Sequence, residues 1–220
     1  GGGQADARPG PKFRLEADIG QVRLGDGRFV EAFKGHLVSD GYRWRQANLE
    51  ARVGEAKRLA LTIRESGEDT RALAIHADDA GATLRAFGYY DNMIGGTLDL
   101  IGDYDDSSPS SMLKGRLEIR DYRVIKAPVL AHLVSILAIT GIPAALDGEG
   151  LSFVELATRF QVDDDIVTIT DARATGASLG FTASGTLDTA ADTIQLEGTV
   201  VPAYLINAIW GRIPILGKLL

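Results

Sequence analysis

The sequence predicts an all-β fold, an antiparallel meander with two short helices in its second half. Three observations carry that expectation. Apolar residues alternate with polar ones along most of the chain, short polar turn signals separate the alternating runs, and only two segments follow helical spacing. Of the 220 residues, 45% are hydrophobic and 24% charged, enough for one large all-β unit or two small domains with a real core.

Phe13, Leu15, Ala17 and Ile19 alternate with Arg14, Glu16 and Asp18, so one face is apolar and the other charged. The same pattern returns in Ala47-Leu49-Ala51-Val53, Leu59-Leu61-Ile63, Leu73-Ile75-Ala77 and Ala82-Leu84-Ala86. It continues in Leu113-Gly115-Leu117-Ile119, Val154-Leu156-Thr158-Phe160-Val162 and Leu179-Phe181-Ala183, with Val167-Ile169 and Ile194-Leu196 completing the set. Between the runs lie Asp26-Gly27, Asp40-Gly41, Ser66-Gly67, Asp79-Ala80-Gly81, Asp163-Asp164-Asp165 and Ala190-Ala191-Asp192. Strands this close together imply hairpins rather than crossover units. Gly96-Thr97-Leu98-Asp99 echoes Gly185-Thr186-Leu187-Asp188, each expected in a strand that ends at an Asp turn. Recurrent hairpin chemistry explains the echo more simply than duplication.

The polar stretch Asp103 to Ser111 is the candidate boundary. It divides residues 13–102, the N-terminal part of the sheet, from residues 112–220, the part with the helices. Residues 1–12 read as a flexible linker, a cloning remnant or the upstream edge of a longer protein. The first helix is expected near 129–140, with Pro128 suited to its first turn and Gly141 and Pro143 stopping it. The second is expected near 203–210, opened after Pro202 and closed at Gly211. Both are apolar enough that they must bury themselves against a sheet, a partner or lipid. The longest apolar run, Val129 to Leu146, is interrupted by His132, Ser135, Thr140, Gly141 and Pro143, short of the ~20 residues of a spanning helix.

Net charge is −7 with both signs mixed along the chain, and no basic stripe is present to neutralise a phosphate backbone, which argues against nucleic acid. The absence of cysteine removes disulfides, thiolate metal sites and cysteine nucleophiles. His36, His76 and His132 share no metal-ligand spacing. Asp103-Tyr104-Asp105-Asp106 begins like a calcium loop, but Lys114 stands where a bidentate Glu is needed, and Asp163-Asp164-Asp165 reads as a solvated hairpin turn. Gly176-Ala177-Ser178-Leu179-Gly180 has the spacing of a nucleophile elbow, yet Phe181 to Gly185 continue as a strand where a helix should follow. The expectation is a protein with no catalytic residues, cofactor or metal.

The second half also carries an ordered series: Gly115-Arg116-Leu117-Glu118-Ile119-Arg120-Asp121-Tyr122, Lys126-Ala127-Pro128-Val129-Leu130-Ala131 and Gly148-Glu149-Gly150-Leu151-Ser152-Phe153. After Gly185-Thr186-Leu187-Asp188 it ends Leu196-Glu197-Gly198-Thr199-Val200-Val201-Pro202-Ala203-Tyr204-Leu205-Ile206-Asn207 and Gly211-Arg212-Ile213-Pro214-Ile215-Leu216-Gly217. In that order the series resembles the C-terminal region of AsmA-like proteins, particularly the YhdP-type branch, with TamB a more distant relation. The resemblance covers residues 81–220; the first eighty match only in strand rhythm. It implies a long protein anchored in the inner membrane of a Gram-negative bacterium, whose periplasmic part is a curled, groove-like sheet (β-taco-like) that moves or homeostatically controls phospholipid between inner and outer membranes.

Against that pattern the chain lacks the anchor and stops at Leu220 where further Gly-rich strands are usual, so it reads as a fragment. Alternation alone fits an ordinary two-sheet sandwich; the resemblance favours a single curled sheet, apolar inside. An aliphatic face with only 7% aromatics in the chain suits a non-directional lipid lining. On this reading Val129, Leu133, Leu137, Leu205, Ile206, Ile209 and Trp210 line the groove or touch lipid. The partners are phospholipid, the membranes at the ends of the full-length protein and possible envelope proteins. The alternative is an envelope scaffold that docks a protein through its apolar helices. More remote is a carbohydrate-active β-protein, which needs two carboxylates converging in a cleft.

Overall fold

Period-two alternation and short turns build one sheet. The computed structural model describes residues 10–108, 110–126, 150–177 and 179–202. The first five strands are β1 (Phe13–Gly25), β2 (Arg28–Ser39), β3 (Trp44–Val53), β4 (Lys57–Gly67) and β5 (Thr70–Ala77). After a short helix, α1 (Ala80–Ala86), come β6 (Met93–Asp105), β7 (Met112–Val124) and β8 (Leu151–Asp163). The chain then runs through β9 (Ile166–Gly176), β10 (Leu179–Asp188) and β11 (Thr193–Pro202). All eleven strands pair in chain order, and every adjacent pair is antiparallel. Among the described residues the sheet does not close on itself, since β1 and β11 each pair on one side only. The single curled meander is therefore the observed architecture, and the two-sheet sandwich is not.

The turns are largely where the sequence marks them. Asp26 and Gly27 join β1 to β2 with φ of 50° and 74°, the left-handed pair that a two-residue hairpin requires. Asp164, at φ 49°, turns β8 into β9, and Asp192, at φ 51°, leads into β11. Two expectations change. β6 continues through Asp99 to Asp105, so the first Gly-Thr-Leu-Asp lies mid-strand and the polar connection starts only at Asp106. The sheet then runs on across it from β6 to β7.

The second correction is α1, where Ala82-Leu84-Ala86 were expected to alternate along a strand. Asp79 caps the helix, accepting from the Ala82 N–H at 2.8 Å, and Thr83 Oγ1 donates to the Asp79 carbonyl. At the other end Gly88 has φ 73°, its N–H donates to Arg85 O and the Tyr89 N–H donates to Leu84 O. That is a Schellman stop. Alanine fits a helix better than a strand, so the caps decide the outcome.

Curvature comes from breaks in the alternation. Ala32, Asp121 and Asp171 all have positive φ (47°, 55° and 60°). The register shifts between Glu31 and Lys34 and between Arg173 and Thr170, whereas between Tyr122 and Arg120 one pair is missing and the register is kept. Bulges of this kind bend a strand and increase its twist. One near Val154 leaves that residue 60% exposed while Phe153 and Leu156 turn inward, so Val154 departs from the expected apolar face. Gly102 and Gly115 are paired, and a side chain at Gly115 would collide with the Ile101 carbonyl and the Phe160 ring. The main core lies inside the curl, where Tyr122 stacks on Phe153 and Phe153 meets Phe181 edge-on.

Candidate functional site: an apolar trough

Antiparallel pairing places inward residues side by side in rows that cross the strands. Leu15, Leu37, Ala47, Ile63 and Leu73 form one such row on β1 to β5. It continues through Gly102 and Gly115 to Phe160, Ile169, Gly185 and Leu196 on β8 to β11. Every position in it is apolar or glycine. A second row, Ala51-Leu59-Ala77-Leu98-Ile119, extends through Leu156, Ala174, Phe181 and Val200. Between them lie Leu49, Leu61, Ile75, Leu100 and Leu117, one from each of β3 to β7. With strands ~4.8 Å apart, ten intervals make an apolar surface about 48 Å long.

The deepest part is a cavity of about 480 Å³ whose walls include Leu49, Leu61, Ile75, Leu100 and Leu117. α1 covers one margin and contributes Leu84, with Phe87 and Tyr89 at the rim. Gly81 lets the helix lie against β6, since a side chain there would strike the Met93 carbonyl. Arg85 also donates to that carbonyl at 3.0 Å. Glu50 borders the cavity, but its register puts it in the outward row with Ala60 and His76, where its carboxylate accepts from Arg58 at 2.7 Å. The trough therefore offers dispersion and desolvation rather than directional chemistry. Among the described residues it is uncovered toward the sheet edges: Leu15 is 46% and Leu196 48% exposed.

At the opposite margin Arg71 and Asp106 are buried, 4% and 6% exposed, and form two hydrogen bonds of 2.7 and 2.8 Å. Arg71 also donates to the Trp44 carbonyl at 2.6 Å and lies 4.3 Å from the Tyr104 ring centre. Arg45 and Arg43 approach the same carboxylate at 3.4 and 3.7 Å. The Arg71 hydrogen bond leads in holding Asp106 below the usual carboxylate range, with burial opposing it. On the outer face His76 lies between Asp99 and Asp78 at 2.7 and 3.1 Å, and the Asp99 hydrogen bond leads in raising its pKa.

Val129, Leu133, Leu137, Leu205, Ile206, Ile209 and Trp210, and both expected helices, lie outside the described residues. Their flanking strands end at Val124, Leu151 and Pro202, all at the α1 margin. Ser178 of the elbow-like spacing also lies outside, and the element that follows, β10, is a strand. Sequence reasoning missed two features, α1 and the Arg71–Asp106 pair. Asp79 followed by Gly88 was the available signal for the helix. Comparison with known protein families, curated proteins and solved structures finds no match.

Proposed function

We propose that this chain is a periplasmic segment of an AsmA-like protein, in which the trough shields phospholipid acyl chains on a path between inner and outer membranes. The observation that carries the reading is the pair of apolar rows, kept in register across the sheet and left open toward both edges. A soluble sheet ordinarily covers such a face with a second layer. Each methylene moved from water into apolar surroundings gains up to ~0.8 kcal/mol, so an acyl chain binds such a lining without polar contacts. The resemblance of residues 81–220 to the family supports the same reading.

Native mass spectrometry of the purified chain is expected to find bound phospholipid, lost from a Leu61→Glu/Leu100→Glu variant that remains folded by circular dichroism. A lipid-free chain under gentle ionisation, or equal lipid in the variant, contradicts the reading.

A further inference from the structure

The sequence carries no basic stripe, but the fold gathers cations around one hollow from residues far apart in the chain. A second hollow, of about 820 Å³, lies on the outer face of the sheet, on the strands that carry Ala47, Ile63, Leu73, Gly102 and Gly115 of the first apolar row. Twisted sheets are saddle-shaped, so even an outward face is concave along one diagonal. Its floor is low, formed by Ala72, Ala74 and Ile101, with Ile101 itself exposed. On one side stands Arg64 of β4, beside Gln46 and Asn48 of β3; on the other, across β5 and β6, stand Lys114, Arg116 and Arg159 of β7 and β8. The only acidic residue among those lining it is Asp103, directly across from Lys114. Four cations against one carboxylate is a local excess of positive charge in a chain whose net charge is −7.

Arg116 and Arg159 oppose each other across neighbouring strands, a like-charge pairing that destabilises a sheet when nothing neutralises it. Asp171 takes up Arg159 at 2.7 Å. Arg64, Lys114 and Arg116 form no ion pair among the described residues. Guanidinium groups pair bidentately with phosphate oxygens, while side-chain amides such as those of Gln46 and Asn48 match hydroxyl groups. An exposed apolar floor completes a site with a cation on each side and amides beside one of them.

We infer that the outer hollow binds a phosphate ester flanked by hydroxyl groups, with Arg64 and Arg116 holding the phosphate and Gln46 and Asn48 the hydroxyls. Two sources carry that chemistry, a soluble sugar phosphate and a polyol phospholipid headgroup. The proposal concerns the face opposite the trough and stands whether or not the trough binds acyl chains.

The test titrates the full chain with glucose 1-phosphate, and separately with phosphatidylglycerol and phosphatidylcholine vesicles, following amide shifts and sedimentation. Saturable binding of the soluble ester supports the site with a free ligand. Binding to phosphatidylglycerol vesicles alone supports it with a headgroup. Losing two charge-assisted hydrogen bonds, the Arg64→Gln/Arg116→Gln variant is expected to bind the active probe roughly ten-fold or more weakly. Both residues are exposed, so the fold is expected to survive. Binding by neither probe, equal binding to both vesicle types, or undiminished binding by the variant overturns the inference.

Discussion

At the α1 margin of the trough, Ala77, Ala80, Met93, Tyr122, Phe153 and Leu179 pack together with no charged side chain among them. At the opposite margin the strands are tied by Arg71 and Asp106, buried ions that satisfy each other and recruit Arg43, Arg45 and the Trp44 carbonyl. Both margins hold an open sheet in its curl, yet the first relies on desolvation and the second on directional bonds. The apolar margin can yield gradually as packing loosens. The ionic margin is all-or-none, because an unpartnered buried charge costs more than the pair contributes.

The largest effect is expected from Arg71→Met, which leaves the Asp106 carboxylate buried without its main partner. Removing one member of such a pair costs about 3–5 kcal/mol, read from urea denaturation. Adding Asp106→Leu is expected to restore much of the loss. If the double variant is no more stable than the single one, the comparison breaks.

Leu179 is the largest fully buried side chain among the described residues, so Leu179→Ala is expected to cost about 2–5 kcal/mol through lost transfer energy and the cavity left behind. That loss should be the same at neutral pH and at pH ~4, because the side chain belongs to the apolar cluster with Tyr122, Phe153 and Ala174. A strongly pH-dependent loss would blur the distinction between the margins.

The smallest effect is the acid response of the ionic margin. Asp106 titrates below its unfolded value of ~3.9 when folded, so its contribution is complete above that pH and declines as pH falls through the lowered folded value. The urea midpoint of the wild type should therefore fall more steeply below pH ~4 than that of the Arg71→Met/Asp106→Leu variant. Parallel curves would remove Asp106 from the account.

Much of the trough was legible in the sequence, because Leu49, Leu59, Leu61, Ile75 and Leu117 all belong to period-two runs that fold inward. The sheet's phase changes were not. Ala32, Asp121 and Asp171 shift the alternation through backbone conformations that no local pattern announces. The Arg71–Asp106 pair was illegible for another reason: the residues are 35 positions apart and meet only once β5 pairs with β6. Ala82-Leu84-Ala86 satisfied the strand pattern and lost to the caps on either side, where hydrogen bonds outweigh a three-residue alternation of small side chains.

The central claim, that the inner face meets lipid, is tested most directly by a photocrosslinker at two adjacent positions of β4. Leu61 lines the trough, whereas Ala60 belongs to the outward row with Glu50 and His76. The account predicts phospholipid adducts from position 61 and none from position 60. Protein adducts alone at 61, or equal lipid labelling at both positions, would contradict it.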